Sequence, residues 1–330
     1  MLYFFFYLLF DIINLGDKVK KIFVLLLIIS AGIIVWKKDE VSQFIVQKVI
    51  FKDKFELETP NNYYKTEEFL LFENQKELTV KNKDDFNNFL YTILNSGWTS
   101  FSFFCDFKYT DCINDFTQYI TTSDYVEVIN NYVHPFNSFD KIVVTPNNFN
   151  KITIKIEKLY STEHELIINQ IIDNFIKQSI TDDMNDRKKI KLFHDWIINQ
   201  TKYDKNFTAA TDKEAYPYHP YSAYGPLVEG MAVCSGYSDV MAIFLDKIGI
   251  KNYKISNVLS DNPDEGHVWN YAFVDGKWYH LDLTWDDPLV EGNDMLIYDF
   301  FLINTDQLEK INTSKHTFNK NYYLETKTAN

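Results

Sequence analysis

Two hydrophobic periods run along this chain, one helical and one of strands. Between Asp84 and Asn95 the apolar residues Phe86, Phe89, Leu90 and Ile93 share one helical face, and Gly97 follows as a stop. The segment Lys151 to Leu159, KITIKIEKL, alternates strictly and predicts a half-buried strand. Strands and helices alternate in this way from about residue 40 to 160. Two longer helices come next. The first opens on Thr162-x-x-Glu165, a capping-box pattern, and runs to about Ile180. The second starts near Thr181–Asp182 and carries the stripe Ile190, Phe193, Ile197 and Ile198, with His194 beside it as a satisfied core residue. Tyr216 to Gly230, YPYHPYSAYGPLVEG, is too polar and broken for core and suits the wall of a binding groove. A further helix begins at Cys234, with Tyr237, Val240, Met241, Phe244, Leu245 and Ile248 at helical spacing and Gly249 as its C-terminal stop.

Residues 267 to 288 read as two alternating strands around Asp275–Gly276, a type I′ hairpin signal. A two-residue loop pairs Val274 with Lys277. Carried outward, that register sets His267 opposite Thr284 and makes Asp282 its diagonal neighbour on the same face. The preceding loop, SDNPDEG, delivers His267 to the start of its strand.

The N-terminus has a different pattern. Ile22 to Trp36 is fifteen residues without a charge, preceded by Lys18, Lys20 and Lys21 and followed by Lys37 and Lys38. A bilayer needs about 20 apolar residues, and snorkelling lysines extend the reach of a shorter run. No A-x-A site follows, so residues 1–39 are read as an uncleaved membrane anchor. Three lysines against two set the N-terminus inside and the bulk of the chain outside. The earlier stretch MLYFFFYLLFDIINL is either a second membrane-associated segment or an extension from a misplaced start codon.

Composition narrows the function. The chain has 330 residues, is 46% hydrophobic and 17% aromatic, and has ample means to bury a core. Its net charge of −13, with lysines scattered, argues against a nucleic-acid partner. Cys105 and Cys112 are seven apart; outside the cell they are disulfide candidates, and otherwise half-buried thiols. No Gly-rich phosphate loop and no CxxC pair occurs, so neither cofactor nor metal is expected. Asp286 and Asp287 before Pro288 read as a turn, not a calcium loop. His134 and His164 read as structural or surface residues.

Cys234 carries the strongest chemistry. A thiolate at a helix N-terminus meets unpaired N–H groups and the positive dipole end, which lower its pKa, and the same groups can hold an oxyanion. His267 is the expected base and Asp282 the residue that orients it. His280 lies two residues before Asp282 on the same strand face and is the rival base. His267 is preferred because a neighbouring strand can bridge Cys234 and Asp282.

The CSGYS helix start, the HVWN strand and the LDLTWDDP strand resemble the three motifs of the transglutaminase-like superfamily, in the same chain order. The resemblance covers roughly Ser161 to Pro288. It implies a papain-like α+β catalytic domain over 161–330, with N-terminal helices packed on an antiparallel sheet. A smaller α/β accessory region at 40–160 and the membrane helix would precede it. It further implies a cysteine nucleophile, Cys234, acting with His267 and Asp282 through a thioester. Ser235, Trp269, Asn270 and Tyr224 join as substrate-binding or oxyanion candidates, although an aromatic in a strand is more often core. The implied partners are protein or peptide substrates at the cell surface, cell-wall peptides among them. A peptide-gripping module or scaffold without catalysis is the competing expectation.

Overall fold

A computed structural model describes residues 79–330 apart from 107, 123, 148–149, 211, 213–214, 258–265, 289–295, 312 and 329–330, and also residues 22, 25, 26, 29, 30, 32, 33, 35–37, 63 and 69. Among the described residues no helix is long and apolar enough to cross a membrane. Most of the anchor expectation, the whole MLYFFFYLLFDIINL stretch and nearly all of the SDNPDEG loop lie outside the described residues.

The first sheet belongs to the accessory region. Its strands β1 (Thr79–Val80), β2 (Ser100–Cys105), β3 (Phe139–Pro146) and β4 (Lys151–Lys158) lie in the order β1-β2-β4-β3. The KITIKIEKL alternation is realised in β4, where Ile152, Ile154 and Ile156 are all buried. Helix α1 (Asp85–Asn95) matches the predicted stripe, and α2 (Cys112–Thr122) and α3 (Asp124–Asn131) complete the layer. Cys105, at the end of β2, and Cys112, at the start of α2, form a disulfide.

The second unit begins with α4 (Thr162–Ser179) and α5 (Asp186–Gln200). Both starts differ from the expectation. Ser161, not Thr162, caps α4, its hydroxyl accepting from the His164 amide. Asn185 caps α5 in the same way through the Lys188 amide, four residues later than expected, because Thr181 to Met184 close a turn first. Short β5 (Lys202–Tyr203) and β6 (Met231–Ala232) pair in parallel and bracket α6 (Lys205–Ala209) and the Tyr216–Gly230 loop. That loop is less exposed than its polarity suggested: Ser222, Ala223, Gly225 and Pro226 are buried.

Helix α7 (Cys234–Lys247) then lies on an antiparallel sheet of β7 (Asn252–Ser256), β8 (Val268–Val274) and β9 (Lys277–Leu281), in that order. The hairpin has the predicted register, Val274 against Lys277, and Asp275 and Gly276 both take positive φ (52° and 77°) as a type I′ turn requires. Strand β8 is central and covered on both faces. Ala272 and Val274 join Val240, Met241 and Phe244 of α7 and Ile168, Ile172, Phe193 and Ile197 of α4 and α5. Phe193 and Phe244 stack at 4.0 Å. On the opposite face Trp269 and Tyr271 join Tyr253 and Trp278 in one core with Val128, Tyr132, Ile152 and Ile154 of the accessory region. The boundary near residue 160 therefore runs through a shared core.

Candidate active site

The site is assembled where α7, β8 and β9 end side by side. Cys234 is the first residue of α7, preceded by Val233 in extended conformation, and no side chain caps the helix. Gly236 explains part of the CSGYS motif. A Cβ there would sit 2.3 Å from the Pro220 carbonyl and 3.0 Å from that of Ser222, so only glycine lets the loop press against the first turn. Val233 donates its amide to the same Pro220 carbonyl at 2.8 Å.

His267 stands immediately before β8, its amide tied to Asn257 Oδ1 at 2.7 Å. Its Nε2 meets Asp282 Oδ2 at 2.6 Å, immediately after β9. The ring lines the same cleft as the Cys234 sulfur, and the two groups interact electrostatically. The three predicted residues are thus brought together at one site. Asp282 Oδ1 accepts from the backbone amides of Thr284 (3.0 Å) and Trp285 (3.4 Å).

The electrostatics follow the contacts. Burial pushes the Cys234 thiol up, but the hydrogen bond and charge of His267, with the Val268 amide, outweigh it and bring the thiol below its usual value. Burial pushes His267 down, yet the charge and hydrogen bond of Asp282, then Cys234, raise it to about 10. Burial pushes Asp282 up, and the two imidazoles that donate to it, His267 first, hold it far below the usual carboxylate range. The arrangement favours a thiolate facing an imidazolium.

The second imidazole on Asp282 belongs to His316, which sequence reasoning missed. Its Nε2 lies 2.8 Å from the same Oδ2. Among the described residues, His267, Asp282 and His316 are the group able to gather around a metal ion. Their N–O separations are hydrogen-bond lengths, shorter than the roughly 3.3 Å between neighbouring ligands of a tetrahedral zinc at about 2.0 Å.

The other candidates are dispersed. Ser235, beside Cys234 in the sequence, lines the cleft. Trp269 is buried, commits its indole N–H to His280 Nδ1 at 3.0 Å and stacks on the His267 ring. Asn270 faces α7 and donates to the Ser238 carbonyl at 2.8 Å. Neither lines the cleft, because alternation along β8 turns one to each core. Tyr224 stacks on His164 at 4.2 Å and also lies outside the cleft lining. His280 bridges Trp269 and Thr305, and burial first, then His316 and Lys320, push its pKa down to about 3. Asp286 is fully buried and bound to His194, and Asp287 accepts from Tyr237, so both are tied into the fold.

The cleft itself has a volume of about 780 Å³. Besides Cys234 and His267 its wall includes Tyr203, Phe207, Tyr221, Trp285 and Lys315. Of these, only Tyr221 lies in the loop expected to line a groove. Burial, with Cys234 and Asp204 nearby, raises the Tyr203 phenol to about 12 and keeps it a hydrogen-bond donor.

Residues 174–283 match the sequence model of the Transglutaminase-like superfamily. Kyphoscoliosis peptidase of Mus musculus is 20% identical over 144 residues, which are 41% of this chain and 21% of that protein. Its Homo sapiens counterpart is 21% identical over the same shares. The chain thus spans about a fifth of the length of these relatives. A crystal structure described as a TGase is similar with 18% identity and a TM-score of 0.32, over 44% of this chain and 45% of that one. The matched segment contains Cys234, His267 and Asp282, and it is this segment that resembles the transglutaminase-like superfamily.

Proposed function

We propose that this protein is a cysteine-nucleophile enzyme that transfers or hydrolyses the acyl group of protein or peptide amides. The observation that carries this reading is that Cys234 and His267 line one open cleft while buried Asp282 holds the imidazole from behind at 2.6 Å. The Cys234 thiolate attacks the amide carbonyl carbon, and the carbonyl electrons move onto oxygen. The uncapped first turn of α7 offers backbone N–H groups to that oxyanion. As the oxyanion collapses, the C–N bond breaks, and His267 gives its proton to the leaving amine or ammonia. A thioester on Cys234 remains. His267, now neutral, takes a proton from an incoming amine or water, whose nucleophile releases the acyl group and restores the thiolate. Asp282 keeps the imidazole aligned throughout.

The site is read as acting outside the cytosol. The Cys105–Cys112 disulfide supports an oxidising compartment, and the apolar run Ile22–Trp36 in the sequence suits an anchor. Surface proteins and wall peptides are then the accessible substrates.

The test offers the full chain a glutamine-containing peptide with and without a fluorescent primary amine, and products are read by mass spectrometry. Cross-linked peptide identifies acyl transfer, glutamate in place of glutamine identifies deamidation, and a cut backbone identifies proteolysis. All three products should vanish in Cys234→Ala. No product, and no acyl adduct on Cys234 across a panel of peptides, would favour a non-catalytic peptide-gripping module.

A further inference from the structure

The family match ends at residue 283, one position past Asp282, yet the surroundings of that carboxylate are completed from farther along the chain. His316 ends a short 3-10 turn, Ser314–His316. Its Nε2 reaches Asp282 Oδ2 at 2.8 Å, and the Thr313 hydroxyl holds its Nδ1 at 2.7 Å. The ring stacks on Phe300 at 4.6 Å and meets Trp285 and Trp269 edge-on at 4.8 and 5.1 Å. Packing and the hydroxyl together leave this imidazole little freedom to turn.

A carboxylate offers about four lone-pair sites. Asp282 uses all of that capacity: two backbone amides on Oδ1 and two imidazoles on Oδ2. Any rotation about its Cβ–Cγ bond breaks bonds at both oxygens. Without His316 the amides would still grip Oδ1, but Oδ2 would be held only by His267, the group it has to orient. His316 gives Oδ2 a second anchor that does not depend on His267.

We propose that His316 is a positioning residue for the site: it locks the Asp282 carboxylate so that Oδ2 faces His267 in the one orientation that turns the imidazole toward Cys234. This rests on reading Cys234 as a nucleophile paired with His267. The same turn sets Lys315 in the cleft wall, so the segment 313–316 both borders the substrate space and grips the acid beneath it. The charged and titratable groups facing this network are Tyr203, Lys315 and Asp287 from the cleft, Asp286 from the chain after β9, and His280 and Lys320 behind Trp269.

The experiment follows alkylation of Cys234 by iodoacetamide in the full chain as a function of pH, by mass spectrometry. Cys105 and Cys112 are bonded, so Cys234 is the reporting thiol. His316→Phe fills the aromatic cage but donates nothing; His316→Gln restores an N–H. At pH 6 the rate should fall about tenfold in His316→Phe, with its rising limb moved to higher pH, and recover to within about twofold in His316→Gln. An unchanged rate in His316→Phe overturns the proposal. So does a His316→Gln rate as low as that of His316→Phe, with both folded by near-ultraviolet circular dichroism. If His316→Phe does not fold, Thr313→Val carries the test: about a threefold fall is expected, and a wild-type rate overturns the role. Wild-type labelling with the pH dependence of an ordinary thiol sinks the nucleophile reading itself, a result distinct from any of these.

Discussion

The indole N–H of Trp269 donates to Nδ1 of His280 at 3.0 Å, and this bond separates the histidine that holds the fold from the one that faces the sulfur. His280→Ala should strand a buried indole donor and cost about 1–3 kcal/mol of stability, read as a lower melting temperature. Alkylation of Cys234 in the same variant should stay near the wild-type rate. A loss of reactivity comparable to that of His267→Ala would show that His280 belongs to the chemistry.

Asp282→Asn keeps the shape and removes the charge. The anion that lifts His267 to about 10 is then gone, so the imidazole titrates lower and pairs less well with the thiolate. Turnover should fall on the order of 10³–10⁴-fold, measured on whichever peptide the wild type accepts. A fall of less than tenfold would contradict the orienting role.

The pH dependence has a definite sign. The thiol is held below its usual value and the imidazolium persists to about 10. Cys234 should therefore be reactive at a pH where a free cysteine is still protonated, and the thiolate–imidazolium pair should be lost only as pH rises through about 10. In His267→Ala the lowering influence disappears while burial still raises the thiol, so the reactive limb must move upward. The same limb in both proteins would remove His267 from the site.

The disulfide has its own assay. It closes a short loop, with a sequence separation of 7, for which unfolded-chain entropy gives about 2–3 kcal/mol. Paired Cys105→Ser and Cys112→Ser changes should lower the melting temperature of the full chain, and a reductant should have the same effect on the wild type alone.

The parts of this protein that sequence made legible are those set by local rules. A two-residue turn fixed the β8–β9 register, and from it the meeting of His267 with Asp282. The α7 stripe and Gly249 bounded the helix that carries Cys234. Helix starts were less readable, since Ser161 and Thr162 both suit a cap and the chain uses the first. Trp269 and Asn270 looked like cleft residues, but strand alternation sends them to opposite cores, Trp269 stacking on His267 from the buried side. His316 was out of reach for another reason. It lies 34 residues beyond Asp282, in a turn without period, and the pair Thr313-x-x-His316 is too common to single out. The cleft wall is likewise contributed by Tyr203, Trp285 and Lys315 from separate stretches, which only folding brings together.

The aromatic layer of Tyr253, Trp269, Tyr271 and Trp278 is covered in part from upstream, where Tyr132 stacks on Tyr253 at 4.6 Å, and in part by Phe318 and Tyr323 from the C-terminal stretch. A fragment cut at residue 161 would keep every predicted catalytic group yet lose Tyr132 and expose the face of Tyr253 on which it stacks. Such a piece should aggregate when expressed alone. Residues on both sides of position 160 thus share one core, and the two parts should fold together.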